Sequence, residues 1–64
     1  MEKTIALIEE KIKFLERKKV RVQREYKLEE TYTVSRYLSG RLYEITELIS
    51  DLQEILDSLK KEKV

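Results

Sequence analysis

Sixty-four residues hold one small domain, and a core of that size supplies only a few kcal/mol, so oligomerisation or a staple is expected to support it. Cysteine and histidine are absent, which excludes disulfides, thiolate chemistry and the usual zinc ligands; proline is absent too, and a single glycine argues against an all-β fold built on tight turns. Charged residues make up 42% of the chain but cancel to +1, a composition that suits long solvated helices and recurs in thermophile proteins.

The longest uninterrupted apolar run is Ile5 to Ile8, so no segment is expected to span a membrane or to form the core of a signal peptide. A cytoplasmic location is the corresponding expectation.

Residues 2–16 place Ile5, Ile8, Ile12 and Leu15 at steps of three and four, with strong helix formers between them. The spacing predicts a helix starting near Glu2, with Thr4 as a cap should the start fray. The same phase continues through Lys19, Val22, Tyr26 and Glu29.

Residues 20–34 carry two signals. Val20, Val22, Tyr26, Leu28, Tyr32 and Val34 fall on even positions, as in a strand. Arg24 and Glu30 interrupt the alternation, and no Asn-Gly or Asp-Gly turn divides the stretch into a hairpin. Thr31-Tyr32-Thr33-Val34 is the least helical run, which puts the break at 31–33, with Thr31 or Thr33 capping the next helix.

From Leu42 the apolar residues Ile45, Ile49, Leu52, Leu56 and Leu59 repeat at three and four without a gap. This heptad seam needs a partner surface, and the chain contains one. In an antiparallel pair, facing residues have numbers that sum to a constant. A break at 31–33 makes that constant 64 and faces Ile5 with Leu59, Ile8 with Leu56, Ile12 with Leu52, Leu15 with Ile49, Lys19 with Ile45, Val22 with Leu42 and Tyr26 with Leu38. A break at Gly40 would instead set Lys19, Glu29, Thr33 and Arg36 against leucine and isoleucine. Burying unpaired charges costs several kcal/mol, so the first register wins and Gly40 becomes a weak point inside helix 2. The fold expected is an all-α antiparallel αα-hairpin, a two-helix coiled coil. It forms one domain over 1–64, with helix 1 at about 2–30 and helix 2 at about 34–62.

The seam does not use up the apolar residues. Helix 1 also carries Leu7, Phe14 and Leu28, about 110° round from the seam, and helix 2 carries Tyr37, Leu48 and Ile55, rotated by about 80° in the same sense. Equal rotations in an antiparallel pair point to one side, so both helices contribute to one apolar face. Docking of two such faces would give a homodimeric four-helix bundle. The other reading is a groove for another protein, as in an adaptor or inhibitor; in one version residues 20–34 would extend and add a strand to a partner's sheet.

Arg17, Lys18, Lys19, Arg21, Arg24 and Lys27 form a basic block broken only by Glu25. With Tyr26 and Tyr32 nearby to stack on bases, it makes a nucleic-acid-binding dimer the alternative function. A solvated or internally paired surface accounts for the same residues, since they run round the helix and the chain is almost neutral. Glu44, Glu47, Asp51 and Glu54 share a face of helix 2 and could answer the block within the hairpin or across a dimer. An antiparallel dimer would lay ends of opposite sign together. That acidic row lacks the carbonyl cage of a cation site, so neither a metal nor another cofactor is expected. Lys19, in the seam, can lay its stem over Ile45 and send its ammonium to Glu44 or Glu47. Lys60, Lys61 and Lys63 suit the end of a helix. No residue pattern supports catalysis, so a non-enzymatic regulatory or interaction module is expected, with another protein as partner.

Overall fold

A computed structural model describes residues 2–62. It is an all-α helical hairpin of two packed helices, α1 (Glu2–Leu28) and α2 (Tyr32–Glu62). The molecule is a rod 50 Å long and 14 by 11 Å across, as two antiparallel helices of these lengths require at a rise of about 1.5 Å per residue. No described helix is long and apolar enough to cross a membrane.

The connection occupies 29–31, so the turn comes two residues earlier than predicted. Hydrogen bonding accounts for the shift. The Glu29 N–H donates to the Tyr26 carbonyl at 3.3 Å and closes α1. The Glu29 carboxylate then accepts the Thr31 N–H at 2.8 Å, and the Thr31 carbonyl accepts the Ser35 N–H at 2.9 Å, the first helical bond of α2. Thr31 thus takes the cap position and Thr33 falls inside the helix, as Thr4 does in α1. The Thr31 contact holds the Glu29 carboxyl below its ordinary pKa, because the backbone N–H stabilises the charged form.

The alternating residues 20–28 are helical. Gly40 also lies within α2, without a positive φ, so the chain does not turn there.

The seam supplies the core. Ile12, Leu15 and Val22 of α1 and Leu38, Ile45 and Leu56 of α2 are buried. Leu15, Val22, Leu38 and Ile45 form a continuous cluster, with Leu42, Ile49 and Leu52 packed against it. All seven belong to the predicted seam. Ile5, Ile8 and Leu59 are half-buried, so the seam loosens toward the open end. Tyr26 departs from the expected layering: it is 40% exposed although Leu38, its expected mate, is buried. α1 ends two residues beyond Tyr26, where the phenol can reach water without leaving the helix. Lys19 is half-buried in the seam, but its ammonium reaches neither Glu44 nor Glu47 within ion-pair distance.

Candidate interaction surface

The two sides of the hairpin differ because seam neighbours differ. A residue one position before a seam residue lies about 100° back round the helix, and one position after lies about 100° forward. Glu9, Glu16, Gln53 and Lys60 each follow a seam residue, and together they line one groove beside Ile12 and Leu56. Glu9 and Lys60 also form an ion pair at 3.8 Å. The forward flanks of both helices therefore share one side of the rod, and the backward flanks share the other.

Leu7, Phe14, Leu28, Tyr37, Leu48 and Ile55 each precede a seam residue by one, so all six belong to the backward side. Every one is exposed, from Leu28 at 77% to Phe14 and Ile55 at 49%. Val34, which precedes the seam residue Ser35, extends the surface at the loop end. Its polar seam neighbour hid it in the sequence. Val20 and Tyr43 are exposed as well and lie level with each other on the forward side, a smaller apolar pair.

Charged side chains punctuate the apolar side. The Lys11 ammonium sits 5.3 Å from the centre of the Phe14 ring, and the Arg41 guanidinium lies 5.9 Å from that of Tyr37. Lys18 and Arg41 are half-buried because their stems lie along the seam edge. Glu25, Glu44 and Asp51 each precede a seam residue and complete the charged set on this side.

The basic block does not make one patch. Lys18 and Arg21 lie on the apolar side, Arg17 and Arg24 point away from the seam, and Lys27 follows Tyr26 onto the forward side. Among the described residues none of these five forms an ion pair, so the acidic row on α2 does not answer the block within the hairpin. That row is divided too: Glu44 and Asp51 lie on the apolar side, whereas Glu47 and Glu54 face outward. No described cluster of three or more carboxylates is spaced to hold a metal ion. Lys60 and Lys61 occupy the last turn of α2, where cations meet the helix dipole; Lys63 lies outside the described residues.

No protein-family model matches the chain, and no curated protein or solved structure is significantly similar to it.

Proposed function

We propose that the protein is a small non-enzymatic interaction module, an adaptor or inhibitor that docks a protein partner on the side of the rod bearing Leu7, Phe14, Leu28, Tyr37, Leu48 and Ile55. One observation carries the reading: six exposed apolar side chains share one side, while the opposite side carries Glu9, Glu16, Gln53 and Lys60, with Val20 and Tyr43 exposed toward the loop end. Exposed apolar side chains repeated along one side, with charged ones between them, suit an interface. A chain with no described membrane-spanning helix and no cysteine suits a cytoplasmic setting for such a module.

The test is site-specific photo-crosslinking in the host cell, with the reactive residue at Phe14 or Ile55 and, as controls, at Gln53 or Thr46. Protein adducts from the first pair and not from the second support the reading. Equal yields from both sides, or none from either, refute it.

The exposure of Arg17, Arg21, Arg24 and Lys27 keeps a nucleic-acid-binding reading as the second. Changing Arg17, Lys18, Arg21 and Arg24 to glutamine would then abolish binding to duplex or single-stranded probes and its salt dependence. Binding that survives those changes removes this reading.

A further inference from the structure

From the rows on the apolar side we infer that its occupant is a second copy of this chain, docked with both loops at the same end. The inference rests on the proposed use of that side as an interface and names the partner.

Levels along the rod carry the argument. The predicted register makes a residue of α1 level with the residue of α2 whose number completes a sum of 64, and the turn at 29–31 moves that sum toward 60. A two-fold axis along the rod preserves levels and sets the apolar side of α1 against that of the partner's α2. Three apolar rows then meet within two residues of register, about 3 Å of rise: Leu7 with the partner's Ile55, Phe14 with the partner's Leu48, and Leu28 with the partner's Val34. Two of the three charged rows between them also match. Lys11 comes level with the partner's Asp51 and Lys18 with the partner's Glu44; Arg21 meets the partner's Arg41, the one like-charged row, with Glu25 a turn away. Lys11, Lys18, Glu44 and Asp51 make no ion pair within the described hairpin, so each is available across an interface.

The opposite orientation, with loops at opposite ends, packs α1 on the partner's α1. The axis can then sit at any level: where Leu7 meets the partner's Phe14 and Leu48 the partner's Ile55, Lys11 and Asp51 each meet their own symmetry mates, and where Leu7 meets the partner's Leu28, Phe14 meets the partner's Arg21 and Lys18 its own mate. In that second setting Leu48 also meets the partner's Glu44. The charge of the ends favours this arrangement, because residues 17–41 sum to +5 and the remainder of the chain to −4. Such attraction acts over tens of ångströms and is screened beyond about 8 Å at physiological salt, whereas rows in contact are screened far less. Contacting rows therefore set the orientation.

The chain has no cysteine, so one introduced residue carries one spin label. Glu30 lies in the exposed connection, outside both helices. Labels on the Glu30→Cys variant in the full chain are expected about 20 Å apart, since neighbouring helices pack about 10 Å from one another. A dipolar distance approaching the 50 Å length of the rod overturns the orientation. A chain that gives no intermolecular distance and sediments at single-chain mass overturns the second copy as occupant. In that case a Phe14 photo-adduct to a different protein still upholds the interface reading, and absence of any adduct defeats that reading as well.

Discussion

Gly40→Ala offers a test of the register by gain of stability. Gly40 sits in the interior of α2, two residues before Leu42 and so on the outward side, with no positive φ. A Cβ built on it meets nothing within 4 Å. The substitution therefore changes only backbone freedom, and alanine is favoured over glycine in a helix interior by about 0.8–1 kcal/mol. For a domain of this size that corresponds to a rise in Tm of about 4–8 °C. Thermal and urea melts followed by far-ultraviolet circular dichroism measure it, at matched protein concentration because association also moves Tm. The urea slope should stay unchanged, since no surface is added to or removed from the fold. A lower Tm, or a loss of helix, would mean that the chain bends at Gly40 or that something packs against its outward side. Either result refutes the register derived from the seam.

Other substitutions separate the two kinds of apolar residue. Leu15→Ala, in the buried cluster, should cost about 2–5 kcal/mol in urea melts, whereas Tyr43→Ala, 66% exposed off the apolar stripe, should stay within about 0.5 kcal/mol. Lys19→Leu replaces a half-buried seam cation that no carboxylate meets, and should stabilise by about 1 kcal/mol. Glu29→Gln tests the turn through pH. The folded-state carboxyl titrates below its unfolded value, so its contribution is present above the ordinary glutamate pKa of about 4.3 and is lost as pH falls through the lower folded value. The variant should be less stable than wild type at neutral pH and converge with it on acidification; a difference that persists at the acid end contradicts the Thr31 contact as its source.

Much of this architecture was legible because heptads state their own partner. The steps of three and four from Ile5 to Val22 and from Leu42 to Leu59 fit registers seven apart, and the weak helix formers at 31–34 chose among them and demoted Gly40 from a turn to a helical residue. The turn itself was legible only to within two residues. Thr31 and Thr33 are equivalent caps by propensity, and what distinguishes them is the Glu29 carboxylate reaching the Thr31 N–H, a contact that periodicity does not encode. Tyr26 was misplaced for a related reason: a heptad position near a helix end need not be covered, and the phenol gains by reaching water. The apolar stripe could be listed residue by residue from phase alone. Val34 escaped because its seam neighbour is Ser35. The pairing of Lys19 with Glu44 or Glu47 also failed, since a long side chain on a solvated edge gains little from holding one geometry.

Sedimentation equilibrium of the unmodified chain at micromolar concentration tests the central claim most directly. A surface that buries Phe14, Leu48 and Ile55 against a second copy predicts a helical species at twice the 7.8 kDa chain mass. A fully helical species at the mass of a single chain, unchanged across the concentration range, would contradict it.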